Sequence, residues 1–140
     1  GVDCSDHEVN IKVLFGEAER AGSIDRAERN TRLESMTDEV AALVLRNNYL
    51  QTQAITVTHQ PGAHMVDRLA RFMRQLEKKG LLDRALEFLP DDETLRERVK
   101  EGRGLTRPEI AVLLSYAKID LFDDLIQSSL PDDEGMVKRI

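Results

Sequence analysis

Three short stretches, Ser5-Asp6-His7-Glu8, Asp25 with Glu28, and Thr106-Arg107-Pro108-Glu109, repeat one arrangement: a small oxygen-bearing side chain and, three positions later, a glutamate. This is the capping box, in which the first oxygen accepts from a free N–H of a starting helix and the glutamate reaches back to the N–H of the capping residue. A chain punctuated in this way is directed toward helices. After the first box Ile11, Leu14, Phe15 and Ala18 fall at i, i+3, i+4 and i+7, predicting a helix from near Asp6 to a stop before Gly22. The second box opens a charged segment, 26–34, that offers only Ala27 and Leu33 to a core, so a short exposed helix is expected there.

Between the second and third boxes, Thr37 with Asp38 and Glu39 reads as a cap followed by acids at the positive end of a helix dipole. The face that follows carries Val40, Leu43, Val44, Leu50, Ala54 and Val57, and extends toward Pro61-Gly62. Asn47 shares that stripe and, if buried, needs a hydrogen-bond partner. Val66, Leu69, Phe72, Met73 and Leu76 predict a fourth helix, closed by Lys78-Lys79-Gly80 and expected to pair with the third. Residues 83–89 read as a short helical turn. Together with 91–100 and the Gly102-Arg103-Gly104 turn, they are expected to be connectors with small apolar footprints.

The third box holds Pro108 inside the first turn, where a missing N–H is harmless. Ile110, Leu113, Leu114, Ala117, Leu121 and Leu125 form the stripe behind it, widened by Val112, Tyr116 and Phe122. This helix is expected to be the most central, with a break near Ile119. With no competing strand pattern, the fold class is all-α: an irregular helical bundle, 1–140, whose helices occupy 6–130 and whose tail is 131–140.

Charge and composition exclude several functions. Twenty basic residues against 26 acidic ones give a net charge of -6, which opposes phosphate backbones and anionic membrane surfaces. Aromatics are 4%, too sparse for a base-stacking platform, so no nucleic-acid partner is expected. No apolar run reaches membrane-spanning length. The single Cys4 has no internal disulfide partner, which fits a reducing cytoplasm. The opening Gly1-Val2-Asp3-Cys4, without a starting Met, reads as a cut into ordered structure, so the chain is expected to be an excerpt of a longer one.

Recognisable chemistry is thin. His7, His59 and His64 lack zinc-site spacing, Cys4 with His7 would need distant partners, and no metal site is expected. Gly102-Arg103-Gly104 beside Arg107 has some makings of a phosphate cradle but lacks the strand and the Lys-Ser/Thr of a P-loop, so a helix stop followed by a cap explains it better. Asp120, Asp123 and Asp124 read as a solvated acidic face, because the spaced ligands of a calcium loop are absent. From pattern alone Ser5 is a cap.

Three stretches carry a resemblance: G-V-D-C-S-D-H-E-V-N-I-K at 1–12, the run 36–53 containing M-T-D-E-V and N-N-Y-L-Q-T, and L-T-R-P-E-I-A-V-L-L-S-Y-A-K-I at 105–119. They resemble the large bacterial NAD-dependent glutamate dehydrogenases, on the C-terminal side of the catalytic region. The resemblance implies oxidative deamination of L-glutamate to 2-oxoglutarate and ammonia. The NAD would be held by an upstream doubly wound domain ending near residues 1–5. The G-V-x-x-S-x-x-E start also resembles the substrate turn of the smaller glutamate dehydrogenases. Carried over, that match implies that Ser5 bonds the glutamate side-chain carboxylate and that Val2 packs beside substrate and nicotinamide. Catalytic Lys and Asp counterparts are not recognisable, so no catalytic residue is assigned and the segment alone should be inactive. The parent is expected to be a cytoplasmic homo-oligomer. The competing reading is a non-catalytic helical interaction or oligomerisation module, with Ser5 a plain cap.

Overall fold

The computed structural model describes residues 5–130, 133 and 135, the first two in backbone only. Among the described residues six α-helices and one 3-10 helix follow one another: α1 Ser5–Arg20, α2 Arg26–Ser35, α3 Thr37–His59, the 3-10 helix Gly62–Met65, α4 Val66–Lys78, α5 Asp92–Lys100 and α6 Arg107–Gln127. No strand occurs among the described residues, so the architecture is all-α. The chain divides into two compact units, Gly1–Ala54 and Ile55–Ile140, with the boundary inside α3.

In the first unit α1 begins at Ser5, one residue earlier than its spacing suggests, and packs against α2. Its inward face is His7, Ile11, Phe15 and Ala18, all half-buried, whereas Leu14 of the expected stripe is 66% exposed. Helix α2 starts as predicted, with the Asp25 carboxylate accepting from the Glu28 N–H at 2.7 Å. The Glu28 side chain pairs with Arg32 instead of returning to the cap.

Thr37 is not the cap its neighbours suggest. Met36 keeps right-handed helical dihedrals (φ -91°, ψ -4°), so the chain passes from α2 into α3 with no extended residue for a capping side chain to act from. The Thr37 hydroxyl instead donates to the Leu33 carbonyl, 3.3 Å away. Along α3 the half-buried positions include Val40, Val44, Asn47, Asn48, Gln51 and Ile55, while Leu43 and Leu50 face outward.

The second unit holds the hydrophobic core. Val66, Ala70, Met73 and Leu76 of α4 meet Leu82, Leu89, Leu95, Leu105, Ile110 and Leu113. Met73 and Leu76 are fully buried, each a burial worth about 1.5–3 kcal/mol. Three expectations change here. Helix α4, not α6, is the central element of this unit, packing on the 3-10 helix, α5 and α6. The connectors contribute Leu82, Leu89, Leu95 and Leu105 to the core, because isolated leucines too far apart to show a helical period can still be gathered by a folded loop. Residues 84–88 form turns rather than helix, opened by the Asp83 carboxylate accepting from the Ala85 N–H at 2.9 Å.

Helix α6 is continuous through Ile119. Only its first half is committed to the core: Ile110 and Leu113 are buried, while Ile119, Leu121, Phe122, Leu125 and Ile126 stay exposed.

Candidate functional site

The sequence-derived site residues sit at the start of α1. Val2 lies outside the described residues, and Ser5 is described as the first helical residue, without its side chain. Two residues on, His7 is half-buried, and its Nε2 lies 2.9 Å from Nδ2 of Asn47 in mid-α3. The polar residue on the apolar stripe of α3 thus finds its partner 40 positions earlier in the chain. The bond joins the motif at 1–12 to the motif at 36–53. Asn47 was recognisable as a polar interruption of an apolar stripe, but no local pattern pointed to His7.

The first unit also carries a cleft of ≈ 560 Å³ lined by Ile11, Leu33, Met36, Val40 and Val44 with Glu8, Lys12 and Thr37. Its apolar walls suit hydrocarbon and are poorly matched to a dicarboxylate such as glutamate. No group of three or more His, Cys, Asp or Glu that could hold a metal comes together among the described residues.

Several charged residues of the second unit are engaged structurally. Arg84, in the turn after α4, donates to both carboxylate oxygens of Glu77 at 2.7 and 2.8 Å, to Asp92 at 2.9 Å and to the Pro90 carbonyl at 3.3 Å. The guanidinium hydrogen bond holds the Glu77 and Asp92 carboxyls below their ordinary values. Sequence offered no signal for this cluster, whose members come from α4, a turn and α5. Arg98 pairs with Glu109 through two bonds of 2.8 and 3.0 Å. Burial works to raise the Glu109 pKa, but the Arg98 guanidinium and the Thr106 N–H outweigh it and leave the carboxyl lowered. Tyr116 donates to Glu87 at 2.7 Å, which pushes the phenol up.

The third capping box forms in full. The Thr106 hydroxyl accepts from the Glu109 N–H, and the Glu109 carboxylate accepts from the Thr106 N–H at 2.7 Å. That carboxylate, the Arg98–Glu109 pair, Arg103 bound to Glu101 and Arg107 donating to Thr56 commit the groups a phosphate cradle would need. Gly102-Arg103-Gly104 is therefore a helix stop followed by a helix start. On the acidic face of α6, Lys79 reaches Asp120 at 2.6 Å and Asp124 at 3.7 Å.

Residues 1–58 match the family described as "Bacterial NAD-glutamate dehydrogenase, catalytic domain", and residues 102–140 match "Glutamate dehydrogenase, C-terminal". The NAD-specific glutamate dehydrogenase of Pseudomonas aeruginosa is 52% identical over 138 residues, 99% of this chain. The chain belongs to the bacterial NAD-glutamate dehydrogenase family. Its counterparts in Halomonas elongata and Mycobacterium tuberculosis are 48% and 39% identical across the whole chain. The chain spans only 8 to 9% of the length of these curated relatives. No solved structure matches it. The match of residues 1–58 to a catalytic-domain family favours the dehydrogenase-segment reading over a stand-alone interaction module.

Proposed function

We propose that this chain is the helical segment completing the glutamate pocket of an NAD-dependent glutamate dehydrogenase that converts L-glutamate, NAD and water to 2-oxoglutarate, ammonia and NADH. The observation that carries this reading is that the catalytic-domain match, residues 1–58, includes G-V-x-x-S-x-x-E, whose serine is the first residue of α1. Ser5 binds the glutamate side-chain carboxylate from the first residue of α1, a helix's positive end, where negative charge is favoured. Val2 packs beside substrate and nicotinamide. Residues 1–5 close an upstream NAD-binding domain. The catalytic groups and most NAD contacts lie elsewhere in the polypeptide, which works as a cytoplasmic homo-oligomer.

The direct test is Ser5→Ala in a full-length NAD-specific glutamate dehydrogenase carrying this segment. A hydrogen bond to a charged group contributes about 1.5–3 kcal/mol, so kcat/KM for glutamate falls about 10- to 100-fold with NAD binding intact. Wild-type glutamate kinetics would reduce Ser5 to a helix cap.

A further inference from the structure

The His7–Asn47 bond does something that the packing around it cannot. Seen from α1, the inward face is His7 followed by Ile11, Phe15 and Ala18. Seen from α3, it is Val40 and Val44 followed by Asn47. Ile11, Val40 and Val44 line the open cleft instead of interlocking, so the apolar faces by themselves leave rotation and slip of α1 against α3 weakly specified. A half-buried hydrogen bond between single atoms 2.9 Å apart tolerates far less, since its strength falls steeply with distance and angle. A lone polar pair joining two helices whose apolar faces line a cleft is thus a register device. It sits at the N-terminal end of α1 and not in the middle of the stripe, so what it orients most tightly is the first turn.

Ser5 is in that turn. With a rise of about 1.5 Å and a rotation of about 100° per residue, Ser5 lies about 3 Å along the axis from His7. Any roll or slide of α1 against α3 is passed on to Ser5 almost unchanged. Displacements of about 1 Å in a substrate-binding group can lower a rate about 100-fold. We propose that His7 and Asn47 are positioning residues for glutamate: through their hydrogen bond α3 sets the rotation and register of the first turn of α1, and with it the placement of Ser5. This inference rests on the Ser5 reading given above. It also explains why an amide occupies the apolar stripe of α3, where a leucine would pack at least as well.

The test uses the full-length enzyme with His7→Leu, Asn47→Leu, their double variant, His7→Gln and Ser5→Ala, comparing glutamate and NAD kinetics with thermal melting. Each single leucine variant is expected to lower kcat/KM for glutamate by about tenfold or more while the NAD KM stays within about twofold. The double variant is expected to be no worse than either single one, because the two residues act as one unit. His7→Gln, whose amide can still meet Asn47, recovers most of the loss. Adding His7→Leu to Ser5→Ala costs little more, since the pair acts through Ser5.

Three results would overturn the proposal: glutamate kinetics unchanged in both leucine variants; losses that fall equally on glutamate and NAD and follow a lowered melting temperature; or full additivity of His7→Leu with Ser5→Ala. If His7→Leu does not fold, Asn47→Ala carries the same comparison with a smaller change. Ser5→Ala alone tests the underlying reading. A tenfold loss there with unaffected leucine variants removes only the positioning role, whereas wild-type behaviour there removes Ser5 from the pocket and this proposal with it.

Discussion

Phe88 keeps its backbone at φ 54°, a left-handed conformation that L side chains seldom adopt, while its ring is 91% exposed. Its neighbours impose the turn: the Leu89 N–H returns to the Arg84 carbonyl at 2.9 Å, Leu89 and Pro90 are buried, and Arg84 is clamped by Glu77 and Asp92. The left-handed penalty is about 1–2 kcal/mol for a residue with a Cβ, partly offset in a glycine variant by about 0.5–1 kcal/mol of extra unfolded-state freedom. Phe88→Gly should therefore raise stability by about 0.5–1 kcal/mol in urea denaturation, and Phe88→Ala, which keeps the Cβ, should not. A fall in the glycine variant would mean that the ring makes a stabilising contact. The same residue-level logic made Asn47 legible in advance, because a polar side chain on an apolar face must be satisfied. The identity of its partner was not legible, because His7 is 40 residues away and lies on another helix.

At the scale of elements, helix boundaries follow from capping chemistry wherever the residue before the helix is extended. Asp25 and Thr106 both take the extended conformation and both cap; Met36 stays helical, and the apparent cap at Thr37 does not form. The loop before α6 adds a contact that no helix rule anticipates. A Cβ built on Gly104 would sit 2.5 Å from the Gly62 carbonyl oxygen and 2.6 Å from its carbonyl carbon, both main-chain atoms that cannot swing aside. Glycine is required there because two backbones touch. Gly104→Ala should destabilise the second unit by about 1–3 kcal/mol, the usual range for overpacking. Thermal melting checks this, and a melt equal to that of the unsubstituted chain would show that the two turns separate without cost.

For the molecule as a whole, the ion pairs of the second unit make stability depend on pH. Glu77, Asp92 and Glu109 all titrate below their ordinary values of 4.5, 3.8 and 4.5. Between the lowered and the ordinary values the unfolded chain binds more protons than the folded one. Their contribution is therefore complete above the ordinary values and is lost as pH falls through the lowered ones. Urea midpoints measured from about pH 7 down to about pH 3 should stay level and then drop, and Glu109→Gln should make the drop shallower. A midpoint that rises on acidification would contradict the assignment of these pairs.

The sequence by itself determined the all-α class, the segment boundaries set by capping boxes and the family, because caps, helical periodicity and motif runs are local properties written in consecutive residues. The G-V-x-x-S-x-x-E run on which the proposed site rests is a local property of the same kind. Tertiary structure alone decided that α4 is the central helix, that the leucines of the connectors complete its core, that Arg84 gathers Glu77 and Asp92, and that His7 meets Asn47. Each of those depends on which residues distant in the chain become neighbours, and burial and hydrogen bonding act on neighbours in space, about which the spacing within one helix carries no information.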